Sequence, residues 1–384
     1  MHGRGRPPVR VAIVTLDNHL KGAVERANAE LGRDHIAVSL HAASDWERED
    51  GAYDRALEAI EKADIIIATM LFLDDHIRMI LPALEQRRED CDAIVCLMSA
   101  GEVVKLTRMG GYDMSKPAKG VMSILKKLRG SKKEGSSSGA GQMKMLRRLP
   151  KILRFIPGTA QDVRAYFLTL QFWLAGSDEN VVAMVRGLID RYASGDRLTR
   201  RGMMVTDSPI VYPELGVYHP NTAQRISESL RLLPRKKGQE GSVGLLLLRS
   251  YLLGRDTGHY DAAIDAFEEV GLKVVPVFAS GLDARPAIEK FFIGRDGKPS
   301  VDAIVNLTGF SLVGGPAYND AEGAVSVLTD LNVPYLAAHA LEFQSVEEWR
   351  KRDQGLLPLE TTMMVSIPEL DGAIAPSIYG GRSS

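Results

Sequence analysis

The sequence predicts an α/β protein with two doubly wound parallel-sheet regions, joined by a basic linker and a helical segment. Three observations predict it. Short apolar runs alternate with amphipathic stretches in both halves of the chain; the runs are apolar throughout and not at every second residue; and a Gly/Ser/Lys stretch separates the two sets. Strands buried on both faces of a parallel sheet show no alternation, because helices cover both sides. The 384 residues suffice for two or three domains, and 45% apolar content supports packed cores.

The basic start, MHGRGRPPVR, leads into only the short run Val11–Leu16 with no small-residue cleavage site behind it, so it reads as a terminus before a strand. Strand Val9–Thr15 precedes an amphipathic stretch His19–Leu31 and strand Ile36–His41. Helix Tyr53–Lys62, strand Asp64–Thr69, helix His76–Arg88 and strand Ala93–Leu97 complete the first set. Pro82 is expected to end, kink or delay the third helix, since it has no N–H to give. Gly130–Gly141, GSKKEGSSSGAG, reads as a flexible linker. Met143–Phe155 alternates basic and apolar residues at helical spacing. Thr159–Leu174 opens on a capping threonine with Asp162 behind it, and Ser177–Tyr192 opens on Ser177, Asp178 and Glu179. In the second set, strands Val243–Leu248, Lys273–Val277, Ala303–Leu307, Tyr335–Ala338 and Thr361–Ser366 alternate with helices Tyr260–Val270, Ala284–Phe292, Asp320–Leu331 and Val346–Arg352. The expected divisions are an α/β domain at 1–129, a linker at 130–142, a helical segment at 143–195 and a second α/β region at 196–384. With no closing element after Ile378–Arg382, the end reads as a truncation.

Net charge is −1, yet Lys116–Arg154 holds twelve basic residues against one acid, Glu134. Only Phe155 supplies an aromatic there, so base-stacking platforms for nucleic acid are missing. A solvated connection, a contact for an acidic partner and a contact for a membrane surface all remain open. No apolar run approaches the roughly 20 residues of a membrane span. Cys91 and Cys96 are the two cysteines, so no disulfide framework is expected and a reducing cytoplasm fits. The sequence has no G-x-x-x-x-G-K-[ST], no G-x-G-x-x-G after its first strand, no H-E-x-x-H and no G-x-S-x-G. These absences argue against ATP, nicotinamide, zinc-protease and serine-hydrolase chemistry in this chain.

The most informative stretch is Asp302–Asn319, DAIVNLTGFSLVGGPAYN, where an apolar run delivers Thr308-Gly309 and Gly314-Gly315-Pro316 to a loop. Such a loop lies at the carboxyl edge of a parallel sheet, where ligands bind; equally, its glycines simply permit the chain's path. Arg249 follows one strand and His259 opens the next helix. Together they suit an anionic ligand, or else Arg249 caps a carbonyl and His259 a helix. Glu369 and Asp371 offer oxygen ligands suited to hydrated Mg²⁺, or they shape the turn at Gly372. Asp74, Asp75 and Glu102 have first-turn helix roles open to them as well as ligand contacts.

Several strings carry a resemblance. Met98-Ser99-Ala100-Gly101-Glu102, Ala160-Gln161-Asp162, Leu170-Gln171-Phe172-Trp173-Leu174, Tyr218-His219-Pro220, Gly258-His259-Tyr260, Leu307–Pro316 and Pro368-Glu369-Leu370-Asp371-Gly372 together resemble the large porphyrin-binding (H) subunit of magnesium chelatase. The resemblance spans nearly the whole chain. It implies a part in inserting Mg²⁺ into protoporphyrin IX, both being substrates, on the way to chlorophyll or bacteriochlorophyll. It also implies AAA+ motor subunits of the I and D type as partners that bind and hydrolyse ATP. Arg249, His259, Thr308, Gly309, Gly314 and Gly315 would then lie on the porphyrin side, and Glu369 and Asp371 toward the metal. The catalytic residues are expected beyond the end of this chain, because the family's chains are several times longer. Tyr251 departs from the family pattern, in which His usually follows Arg-Ser. The related cobaltochelatase large subunit shares the His-Pro and Glu-Leu-Asp-Gly elements and is one alternative; a non-catalytic tetrapyrrole-binding module is another.

Overall fold

A computed structural model describes residues 8–16, 18–46, 48–116, 148–204, 208–315 and 318–383. The predicted linker and most of the basic run fall in 117–147, outside the described residues. The chain forms two compact units, Met1–Val211 with Leu253–Arg255, and Tyr212–Leu252 with Asp256–Ser384.

In the first unit, β1 (Val9–Thr15), β2 (Ile36–Ala42), β3 (Ile65–Thr69) and β4 (Ala93–Leu97) run parallel in the order β2-β1-β3-β4. The short antiparallel β5 (Arg108–Met109) and β6 (Tyr112–Asp113) extend the β4 edge. The strands β1, β3 and β4 are buried on both faces and lack alternation, whereas β2, at the edge, alternates between buried and exposed positions over Ile36–Ser39. Val11 and Ile13 join one core with Ala23, Val24 and Leu31 of the helix Lys21–Leu31. Ala12 and Val14 join the other, with Ala56 and Ile60 of Ala52–Lys62 and Ile77 and Ile80 of Asp74–Arg87. The helices Thr159–Ala175 and Asp178–Tyr192 pack into the first of these cores through Val163, Leu170, Trp173, Val185 and Leu188.

Of the three effects expected of Pro82, an end to the helix is not what occurs. The helix Asp74–Arg87 continues through Pro82. Pro82 and Arg78 both lie on the exposed side, so water can satisfy the Arg78 carbonyl that the proline leaves unbonded. Thr159 is not a cap: Gly158 occupies that position, at φ 75°. Ser177 does cap its helix, accepting from the Asn180 N–H.

The second unit has the strand order β15-β14-β11-β9-β10-β7-β8. Here β9 (Ser242–Leu248), β10 (Lys273–Ala279), β11 (Ala303–Asn306), β14 (Tyr335–Leu341) and β15 (Ile374–Gly381) pair in parallel, while β7 (Leu215–Tyr218) and β8 (Ile226–Ser227) add an antiparallel edge. A separate two-stranded ribbon pairs β12 (Gly314–Gly315) with β13 (Tyr318–Asn319). Helix Gly258–Glu269 covers one face of the large sheet, and helices Arg285–Phe291 and Ala321–Leu331 cover the other.

Thr361–Ser366, expected as a strand, is instead a π-helical turn between the helices Pro358–Glu360 and Ile367–Leu370. Glu360, Met364 and Pro368 are its buried positions, and a spacing of four is the helical period. Pro358 in the first turn is the start signal that the sequence offers. The β-branched residues of this run suggest a strand, but its burial follows one helical stripe. The last strand is therefore Ile374–Gly381.

Candidate functional site: the glycine loop at the carboxyl edge of the second sheet

Chain leaving β11 turns at once around the side chain of Asn306, which is 1% exposed. Its Oδ1 accepts from the Thr308 N–H at 3.0 Å and the Thr308 hydroxyl at 2.8 Å. Its Nδ2 donates to the Phe310 carbonyl at 2.8 Å and to the Tyr335 hydroxyl at 2.9 Å. One buried amide thus folds 306–310 into a tight turn with Gly309 at its tip. Gly309 has φ +77°, where a side chain would strain the backbone, and open space surrounds the position a Cβ would take. Asn306 is the residue that holds this loop, and the sequence does not single it out; an amide inside an otherwise apolar strand is the only signal it leaves.

The far half of the loop is held by other groups. The Ser311 hydroxyl donates to Asp371 Oδ2 at 2.5 Å, and the Leu312 N–H donates to the same oxygen at 2.8 Å. The Gly314 N–H donates to the Leu282 carbonyl at 2.7 Å. A Cβ on Gly315 would come within 2.6 Å of Leu282 Cδ1, so a larger residue there would displace the half-exposed Leu282 side chain. Beneath the loop lies a cavity of about 20 Å³, lined by Leu246, Phe278, Leu282, Asn306, Thr308 and Leu312 among others. That is room for one water and not for a macrocycle. A large ligand at this loop has only its outer surface to meet.

Arg249, the first residue of helix Arg249–Gly254, donates to the carbonyls of Pro213 at 2.9 Å and Tyr212 at 3.0 Å. It ties down the segment that enters β7. His259 lies one residue into its helix, packed among Tyr251 at 5.1 Å, Tyr260 at 4.0 Å and Tyr379 at 6.2 Å between ring centroids. Burial lowers the His259 pKa, and nearby Asp256 and Asp261 only partly oppose it, so the ring is neutral at neutral pH. The Tyr251 hydroxyl donates to Glu342, and the Tyr379 hydroxyl is buried with no hydrogen-bond partner among the described residues. This cluster offers flat, uncharged rings in place of a cation.

Glu369 is exposed, whereas Asp371 is 1% exposed and bound to Ser311 and Leu312. Burial raises the Asp371 pKa, with those two hydrogen bonds opposing. Among the described residues, no group of three or more His, Cys, Asp and Glu is placed to hold a metal ion. In the first unit, Asp74 and Asp75 occupy the first turn of their helix without capping it, and Glu102 does the same in Gly101–Val104. Among the described residues, no helix is long and apolar enough to cross a membrane.

Two families of known proteins match the chain. A domain of unknown function (DUF3479) matches residues 10–167, and the family described as CobN/Magnesium Chelatase matches residues 170–384. The magnesium-chelatase (H) subunit of Cereibacter sphaeroides is 50% identical over all of this chain, which covers 32% of that protein. The chloroplastic magnesium-chelatase ChlH protein of Oryza sativa subsp. indica is 31% identical over 99% of this chain and 28% of its own length. The aerobic cobaltochelatase CobN protein of a Sinorhizobium species is 30% identical over 45% of this chain and 14% of its own. The chain thus spans about a third of the length of its magnesium-chelatase relatives. With more than half of its residues matched, the chain belongs to the CobN/Magnesium Chelatase family.

Proposed function

We propose that this chain is a portion of the porphyrin-handling subunit of a magnesium chelatase, acting in chlorophyll or bacteriochlorophyll synthesis. The observation that carries this reading is 50% identity, along the entire chain, to the (H) subunit of a magnesium chelatase. The cobaltochelatase relative matches under half of it. In the proposed reaction Mg²⁺ replaces the two inner N–H protons of protoporphyrin IX. Mg²⁺ gives up its water reluctantly, so energy input and a shielded site both help. The energy would come from ATP hydrolysed by AAA+ partner subunits of the I and D type.

In this reading the chain's own residues bind and orient. Thr308 and Gly309 form the turned edge that the macrocycle meets, and the neutral rings of Tyr251, His259 and Tyr379 offer apolar surface nearby on the same unit. Arg249, Gly314 and Gly315 support that surface from behind: the first by its bonds to the Tyr212 and Pro213 carbonyls, the others by close approach to Leu282. The small cavity beneath the loop favours a second reading, in which this portion serves contact with partners and the macrocycle is held elsewhere in the longer protein.

The test uses the full-length protein with its motor partners, Mg²⁺, ATP and deuteroporphyrin. Gly309→Val should raise the KM for porphyrin several-fold and leave the KM for Mg²⁺ unchanged. An unchanged porphyrin KM would favour the second reading. Insertion of Co²⁺ into a corrinoid, with no Mg²⁺ activity, would move the chain to the cobaltochelatases.

A further inference from the structure

The string Pro368-Glu369-Leu370-Asp371-Gly372-Ala373 closes the helix Ile367–Leu370 with two backbone bonds. The Ala373 N–H donates to the Pro368 carbonyl and the Gly372 N–H to the Glu369 carbonyl, both at 3.0 Å. With Gly372 at φ +88°, this is a Schellman closure, which fixes the residue just before the glycine. That residue is Asp371, and its side chain points at the glycine loop.

The polar groups there form one connected chain. The Val313 N–H donates to Ser311 Oγ at 3.2 Å, Ser311 Oγ donates to Asp371 Oδ2 at 2.5 Å, and the Leu312 N–H donates to the same Oδ2 at 2.8 Å. Asn306 holds the near half of the loop as described, so Thr308–Phe310 projects between two buried clamps. One oxygen of Asp371 carries the second clamp alone, while Oδ1 is buried without a hydrogen-bond partner among the described residues. A carboxylate engaged in this way is turned toward the loop backbone, and exposed Glu369 does not share its site.

We infer that Asp371 is a positioning residue that sets the far half of the glycine loop through Ser311 and Leu312, and that it is not a magnesium ligand. Its effect on the reaction rests on the proposed porphyrin reading; its effect on the loop does not. An amide oxygen can accept both bonds as the carboxylate oxygen does, whereas Mg²⁺ is held far more weakly by a neutral amide than by a carboxylate. The two roles therefore separate on Asp371→Asn and Asp371→Ala.

Hydrogen exchange on the 384-residue chain reads the loop directly. In Asp371→Ala the Leu312 and Val313 amides should exchange at least tenfold faster, with β9 unchanged as a sign that the fold is intact. Asp371→Asn should stay within a factor of three of the parent. In the full-length protein with its partners, Asp371→Ala should raise the porphyrin KM about tenfold, Asp371→Asn should restore it, and neither should alter the KM for Mg²⁺. Unchanged Leu312 exchange in Asp371→Ala would overturn the clamp. A raised Mg²⁺ KM in Asp371→Asn would overturn it in favour of a metal ligand. Faster exchange with unchanged porphyrin KM would support the clamp and count against the porphyrin reading of the loop.

Discussion

Replacing His339 with leucine should flatten the acid limb of the second unit's stability. His339 lies on β14, 1% exposed, and neither ring nitrogen has a hydrogen-bond partner among the described residues. Burial lowers its pKa from 6.5 to about 4, and the nearby Met364 backbone favours the proton only slightly, without a regular hydrogen bond. The folded chain therefore holds a neutral ring, and the unfolded chain takes up a proton first. The stability this group contributes is fully present above pH 6.5 and is lost as the pH falls through 6.5 toward 4. At pH 5 the unfolded imidazole is almost fully charged while the folded one is still mostly neutral, which costs the fold about 2 kcal/mol relative to pH 8. Below pH 4 the loss levels off at about 3 kcal/mol. Urea unfolding at a series of pH values, followed by exchange of the β14 peptide, measures this. Leucine changes the absolute stability, so the quantity to read is the change between pH 8 and pH 5. Carboxylates elsewhere titrate in both proteins and cancel in the difference. The reasoning is refuted if parent and His339→Leu lose the same stability over that range.

Three further outcomes follow from the packing. Gly244→Ala on β9 would place its Cβ 2.5 Å from Cζ of Phe292, which is 0% exposed. It should lower the urea midpoint of the second unit by an amount equivalent to about 1–3 kcal/mol, and an unchanged midpoint would show that Phe292 moves freely. Gly372→Ala meets nothing within 4 Å but must adopt φ +88°; the conformational cost alone should be about 1 kcal/mol, visible as a lower midpoint and faster exchange at Leu312. Cys91 and Cys96 are buried and free, and burial pushes the Cys96 thiol up to about 12. Neither should react with a thiol reagent at pH 8 until denaturant is added; native labelling at the unfolded rate would contradict the core placement.

The strands β1, β3, β4 and β9 to β11 are legible in the sequence because each is a short apolar run whose burial on both faces leaves no other pattern; β2, at the sheet edge, is legible from its alternation at Ile36–Ser39. The helix capped by Ser177 is legible because a hydroxyl three residues from Asn180 acts locally. Gly309 is recognisable as a place where the chain must turn, although its clamp, Asn306, looks like one more strand residue. Thr361–Ser366 misleads because a β-branched run is compatible with a strand until tertiary burial selects every fourth residue. Pro82 does not end its helix because its cost depends on whether the freed carbonyl meets water.

Taken alone, the sequence determined the α/β class, the order of most elements and the family, since these rest on period, sterics and strings of adjacent residues. Tertiary structure alone decided what the polar groups of the candidate site do. Asp371 meets Ser311 across 60 positions, Arg249 reaches Tyr212 across 37, and the aromatic cluster gathers Tyr251 and His259 from two helices and Tyr379 from the last strand. A carboxylate's role is set by which donors stand within about 3 Å of it, and no spacing along the chain encodes that distance.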